Sequence, residues 1–457
     1  MLLNLKRHFS ASTTRPRRAS RRLQVEPLES RALLSLTPID FGATIATAPV
    51  AMNGALYFSA NDGVHGNELW KSDGTTSGTA MLKDINPGPP PSNPTDLTVV
   101  GNKLFFSAFD GTHGFELWES DGTAAGTIMV KDVNPGVAGS YPQNLTNFNG
   151  TLLYEAYAPG AGYELFRSDG TASGTYMVKD IDPGPYSSYP SKLTVVGNTL
   201  FFVASDGVHG TELWESDGTA AGTSMVLDIN PGSAGSYPAN LVNVNGTLFF
   251  SANDGVHGIE LWKSDGTSTG TAMVKDIDPG AACSQPSWLT NVNGTLFFGA
   301  NDGVNGTELW KSDGTAAGTV MVKDINPGSA GSGPNYTLAV GSTLYFGTND
   351  GTHGTELWKS DGTAAGTSMV LDIDPGLGGS CPSNLTYVNG MLYFSANTPT
   401  YGTELWQSDG TAAGTTMVQD VYAGPLSSNP TNFVSIGTTL FFTATDATHP
   451  SRLWKLS

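Results

Sequence analysis

An all-β fold, a β-propeller of four-stranded blades, is what this sequence predicts, and three observations carry the prediction. Glu68-Leu69-Trp70-Lys71-Ser72-Asp73-Gly74-Thr75 returns with its glutamate at 116, 164, 212, 260, 308, 356 and 404, so the period is 48 residues. Within one period, four short apolar stretches alternate with turns rich in Gly, Asn and Asp. That is the arithmetic of a propeller blade, lying between the WD40 and kelch periods. The chain holds Gly 57 and Pro 27 with only 14% charged residues, which suits strands and tight turns better than helices.

In chain order, residues 1–32 form a basic N-terminal segment, expected to be disordered and to serve export or sorting. Met1 to Arg22 is rich in Ser and Arg and has no acidic residue. Met1-Leu2-Leu3-Asn4-Leu5 is too short for the apolar core of about 7 to 15 residues that a secretory signal needs. Val25-Glu26-Pro27-Leu28-Glu29-Ser30-Arg31-Ala32-Leu33-Leu34-Ser35 resembles the LEPR-XLL segment near the N-termini of large planctomycete exported proteins, with Val25 where that family usually has leucine. The resemblance implies export or surface attachment.

Residues 33–457 form the expected propeller domain. In the repeat starting at Ala239, Asn240–Val244 alternates apolar and polar residues, and Asn245-Gly246 supplies a pair suited to positive φ in a two-residue hairpin turn. Thr247–Ala252 is nearly continuous apolar, as for a strand covered on both faces. After the loop Asn253-Asp254-Gly255-Val256-His257-Gly258, a third strand is expected at Glu260–Ser264 and a fourth at Ala272–Ile277. A longer link through Asp278-Pro279-Gly280 leads to the next blade. Burying the single Trp of a repeat is worth roughly 4 to 6 kcal/mol gross, and only a neighbouring blade can cover it.

The second and third strands recur nine times, but the Met-Val-Lys-Asp-Ile strand recurs eight times, because the last repeat lacks it. Leu33-Leu34-Ser35-Leu36-Thr37 occupies the vacant phase. The sequence therefore predicts nine blades closed by an N-terminal strand, in preference to eight with a surplus repeat. Glu-Leu-Trp-x-Ser-Asp-Gly-Thr followed by Gly-Thr and Met-Val-Lys-Asp-Ile resembles the bacterial ELWxxDGT repeat, which implies a repeat-built, exported protein and supplies no activity. The third copy departs from it with Phe166 for Trp and Ala158-Pro159-Gly160-Ala161 in its loop, and the eighth has Asn397-Thr398-Pro399-Thr400 there.

Charge narrows the partners. Residues 1–35 carry a net charge of about +6 and the remainder about −25, within a total of −19. That acidity repels phosphate backbones and anionic lipid, so neither nucleic acid nor a membrane surface is expected. No apolar run reaches the roughly 18 residues a membrane span needs. Cys283 and Cys381 lie about two repeats apart and are expected to remain free thiols.

Candidate chemistry resides in several repeated positions. The aspartates of Ser-Asp-Gly-Thr (Asp73 and its equivalents through Asp409) fall in the turn between the third and fourth strands, loosely resembling the Asp-box turn of sialidase-type propellers, and read as local turn acceptors. Asp62, Asp110, Asp206, Asp254, Asp302 and Asp350, with Asp446 in the last copy, sit in Gly-flanked loops between the second and third strands, where carboxylate and carbonyl oxygens make them calcium candidates. His65, His113, His209, His257 and His353 in the same loops read as solvated turn residues. Glu68 with Asp84, and equivalents, could do glycosidase work as a pair, but eight copies describe a building rule. Glu155, Lys192 and Trp288 break the repeat and are the places where unique chemistry would lie. The expected function is that of a monomeric, non-enzymatic, secreted or cell-surface propeller binding protein or polysaccharide through its loop faces. The alternative is a carbohydrate-active hydrolase or lyase.

Overall fold

The computed structural model describes residues 35–457, and the basic segment 1–32 with most of its LEPR-XLL-like stretch lies outside the described residues. Among the described residues every regular element is a strand, and the strands form nine sheets. Blade five is representative, with strands Ala239–Val244, Thr247–Asn253, Ile259–Ser264 and Ala272–Lys275 in antiparallel order. Its hairpin turn has Asn245 at φ 52 and Gly246 at φ 87, the two positive values that the Asn-Gly pair foretold.

The first strands of successive blades lie side by side around the ring axis. In blades two to nine this strand slips register near its start, and the extra residue (Asn240 in blade five) adopts a positive φ. The bulge residues are Asp96, Asn144, Lys192, Asn240, Trp288, Tyr336, Asn384 and Asn432, a position where the backbone is constant and the side chain is not.

Blades cohere through face-to-face apolar packing. Between blades five and six, Phe249, Leu261, Val274 and Ile277 meet Leu296, Phe298, Ala300 and Trp310. The repeat's indoles pack against the preceding blade, as expected, and all but the partly buried Trp406 are buried there. Polar bonds repeat the register: Lys263 Nζ donates to Gly314 O of the next blade at 2.8 Å, and Lys455 Nζ donates to Gly74 O at 3.0 Å across the closure.

The ring closes as a nine-bladed propeller by an N-terminal strand, though not in the expected phase. Leu36–Ile39 pairs with Arg452–Leu456, placing Pro38 opposite Trp454 and Ile39 opposite Leu453. The predicted strand at 33–37 is therefore displaced toward the C-terminus, and residues 33 and 34 lie outside the described residues. Just beyond the strand Phe41 packs against Trp70 of blade one, with ring centroids 5.4 Å apart. Proline is tolerated because the strand is an edge. The fourth strand also ends earlier than predicted, at Lys275 rather than Ile277. The amide of Ile277 leaves the ladder to donate to the Glu260 carboxylate. In blade one the first strand is split into Thr44–Ile45 and Val50–Met52, both paired with Ala55–Asn61. Cys283 and Cys381 are free.

Candidate binding face

One face of the ring is assembled by the glutamate of the repeat. Glu260 is fully buried at the start of its strand, where it accepts bonds from Ile277 N at 2.9 Å, Ser284 N at 2.9 Å and Ser284 Oγ at 2.6 Å. It thereby pins both ends of the inter-blade link. Gly258 in the adjacent loop lies so close to the link that a Cβ would collide with Ala282 O. Links and second-to-third-strand loops therefore share one surface, as the sequence implied. Burial pushes the anchoring carboxylates above their usual range, to about 7 for Glu164, against the pull of their hydrogen bonds. Their proposed pairing partner does other work: Asp276 Oδ2 accepts Gly280 N at 3.2 Å and stiffens the link.

The calcium candidates are engaged within their own loops. Asp254 Oδ1 accepts Val256 N at 2.9 Å and His257 N at 2.8 Å, while Oδ2 faces His257 Nδ1 at 2.7 Å. Asp62, Asp110, Asp206 and Asp350 repeat the arrangement with His65, His113, His209 and His353. In blade six Asn305 replaces histidine and donates to Asp302 Oδ2 at 2.8 Å. Asp446 is bound by Arg452 Nη1 at 3.0 Å. The His65 amide and ring hold Asp62 down at about 2, and the aspartate raises the histidine in return. Each loop brings one carboxylate, whereas calcium takes about 6 to 8 oxygens. Among the described residues no group of three or more His, Cys, Asp or Glu side chains is placed to hold a metal ion.

On the opposite face, Asp265 Oδ1 accepts Thr267 N at 2.9 Å and Thr267 Oγ1 at 2.7 Å. A Cβ on Gly270 would collide with that carboxylate, which accounts for the second glycine of the motif. These aspartates are turn acceptors, as predicted.

The residues that break the repeat do not form one cluster. Glu155 stands in blade three where blade five has Ser251. It is buried, accepts Asn144 Nδ2 at 2.9 Å, and burial pushes it up to about 7. Lys192 Nζ donates to Pro238 O at 2.9 Å. Trp288 meets Tyr336 on the next blade, with centroids 5.2 Å apart.

What single-repeat reading missed is an aromatic pattern spread over two blades. Phe109, Phe115 and Tyr141 in blade two and its outgoing link occupy the same positions as Tyr157, Tyr163 and Tyr189 in blade three. Phe115 stacks on Tyr141 with centroids 5.6 Å apart and planes at 29°, and Tyr163 stacks on Tyr189 at 5.8 Å and 22°. Phe109 and Tyr157 complete each set, 5.6 and 5.4 Å from Phe115 and Tyr163. The same positions hold Asn61, Asn67 and Asn93 in blade one, and Asn397, Thr403 and Asn429 in blade eight. Beside the first stack lies a cavity of about 290 Å³ lined by Asn93, Thr95, Asp96, Phe115, Tyr141 and Gln143. A larger cavity, about 590 Å³, opens at the seam beside the split first strand of blade one, next to Asp62 and His449.

No family model matches the chain. No curated protein matches it either. Among solved structures, a computationally designed protein, Ika8, is 13% identical over 79% of this chain and 96% of its own, with TM-score 0.44. Puromycin hydrolase is 13% identical over 89% of this chain, with TM-score 0.42, and the match spans 60% of the hydrolase. A puromycin-hydrolyzing peptidase of Mycobacterium tuberculosis is 12% identical over 77% of this chain and 57% of its own, with TM-score 0.37.

Proposed function

We propose that this chain is a non-enzymatic binding propeller, secreted or held at the cell surface, that recognises a polysaccharide or a protein through the face carrying its links. One observation carries the reading: the side chains that build the frame repeat from blade to blade, while exposed residues on that face vary and include aromatic sets in blades two and three and a Trp288–Tyr336 pair across blades six and seven. A constant scaffold with a variable face is the division of labour expected of a recognition surface. The repeated acids serve the frame, since Glu260 holds a link, Asp254 a loop and Asp265 a turn. The resemblance to ELWxxDGT repeats and to the LEPR-XLL segment supports export.

A hydrolase or lyase is the second reading, and Glu155 favours it, because a buried carboxylate held near neutrality can donate a proton. Glycoside hydrolysis needs a second acid across the substrate. The test is a binding screen of the full chain against immobilised glycans and envelope proteins, with product analysis of every glycan retained. Retention without cleavage is the expected result. Cleavage abolished by Glu155→Gln would establish the enzyme instead, and retention of nothing would overturn the binding reading.

A further inference from the structure

We propose that the paired aromatic sets of blades two and three form a cradle of two subsites for an uncharged polysaccharide, each stack receiving the face of one pyranose ring. The inference rests on the binding reading above and specifies both its site and its ligand class.

Backbone conformation supplies the first argument. Tyr141 and Tyr189 sit at φ 49 and 50, a left-handed conformation that asparagine adopts far more readily than a bulky aromatic residue. Blades one and eight place Asn93 and Asn429 at the equivalent positions, with φ 45 and 47. A tyrosine here works against its own backbone preference and fills no core, since Tyr141 is 43%, Tyr189 62% and the equivalent Tyr237 of blade four 65% exposed, and of the three Tyr141 and Tyr189 stack on a ring of their own blade among the described residues. Strain of this kind collects where a side chain is needed for contact.

Periodicity supplies the second. The same set recurs on adjacent blades, and packed sheets lie about 10 Å apart, so the two stacks present flat apolar faces at a regular interval. A polymer of repeating rings matches a surface of repeating rings, with carbon-bound hydrogens of each sugar lying on the aromatic faces.

Polar chemistry separates sugar from peptide. Asp96 lines the cavity beside the first stack, where burial raises its carboxyl above the usual carboxylate range and no hydrogen bond reaches it from the described residues. An ionised carboxylate accepts only, so its partner must bring donors. Sugar hydroxyls supply them, and Gln143 and Asn93 add amide groups for the remaining oxygens. A proline-rich segment, the other natural occupant of an aromatic groove, offers almost no donors. The cavity has no Lys or Arg in its lining, and the described chain is strongly acidic, so a polyanion is repelled.

The test is affinity electrophoresis of the full chain in gels containing soluble xyloglucan, mixed-linkage β-glucan or glucomannan, with polygalacturonate and a proline-rich peptide as competitors. Retardation by at least one neutral polymer is expected. Phe115→Asn with Tyr141→Asn gives the stacked pair of blade two the side chains of blade one, and Tyr163→Thr with Tyr189→Asn gives the stacked pair of blade three those of blade eight, with Phe109 and Tyr157 kept. Each pair is expected to weaken binding at least tenfold, and all four together to abolish it, with far-ultraviolet circular dichroism and melting temperature retained. Neutral-polymer binding unchanged in the variants would overturn this cradle while leaving a binding propeller intact. Binding confined to the polyuronate or the peptide would overturn the ligand class alone. No binding to any probe in this assay or in the wider screen would overturn both readings.

Discussion

Blade five and blade three share a frame and differ in what they show to solvent. Both hold a buried glutamate, a Ser-Asp-Gly-Thr turn and a fourth strand of four residues. Blade five then fills its loop with Asp254 and His257, whereas blade three replaces that loop with a tighter turn that lengthens its strands to Thr151–Ala158 and Gly162–Ser168. Blade three also buries Glu155 where blade five has Ser251, and surrounds the region with Tyr157, Tyr163 and Tyr189. The difference teaches that inter-blade packing and link anchoring leave loop identity free. Unusual residues can accumulate in one blade without disturbing the ring.

The sharpest way to break this comparison is to remove the shared anchor. Glu260→Ala strands the amides of Ile277 and Ser284 and the Ser284 hydroxyl, and should cost about 3 kcal/mol in denaturant unfolding. Glu164→Ala should cost a similar amount in blade three, and clearly unequal losses would show that the frames are not equivalent.

A smaller effect is expected from pH. The anchors are raised by burial in the folded state, so their contribution is full below their ordinary value of 4.5 and fades as pH rises through the folded values, about 7 for Glu164. The raised loop histidines act in the same direction. The loop aspartates, held low, contribute above 3.8 and lose that contribution as pH falls toward about 2. Melting temperature should therefore peak at about pH 4 to 5 and decline toward pH 8, as scanning calorimetry would register. A curve rising from pH 5 to 8 would contradict the buried anchors.

Glu155→Ser sharpens the contrast in the opposite sense, since it gives blade three the residue of blade five. Removing a carboxylate that burial disfavours should stabilise the protein at pH 8 by about 0.5 to 1 kcal/mol, with partial solvent access allowed for, and do little at pH 5. Least of all, Tyr189→Asn should change unfolding free energy by no more than about 0.5 kcal/mol, because relief of the left-handed backbone offsets the lost stack.

Much of the fold was legible because a fixed period reports a repeated unit, and the Trp, the Asn-Gly turn and the apolar second strand each have one low-energy role. Phase counting misplaced the closing strand because it assumes an unchanged repeat, whereas Ile39-Asp40-Phe41 enters blade one through a shortened link that sets Phe41 against Trp70. The early end of the fourth strand is not legible locally, because the donation from Ile277 N to Glu260 is tertiary and leaves no trace in the adjacent residues. The face shared by links and loops was legible, but its aromatic cradle was not. Phe109, Phe115 and Tyr141 are scattered along the chain, and taking one blade as the specimen conceals how two others depart from it. Aligning the blades column by column would have exposed the matching aromatics of blades two and three.

The meeting of Leu36–Ile39 with Arg452–Leu456 also constrains how the molecule is made. During synthesis, blade one emerges with Trp70 and Phe58 facing a neighbour that does not yet exist, since their partners Phe441 and Leu453 come from the last blade. A nascent chain must therefore carry a sticky, unsealed flank from its first blade to its last. The latch that finally covers it also brings Ser35 and Ser457 together, so a circular permutant that joins these residues and reopens the chain at the Asn245-Gly246 turn should retain the ring.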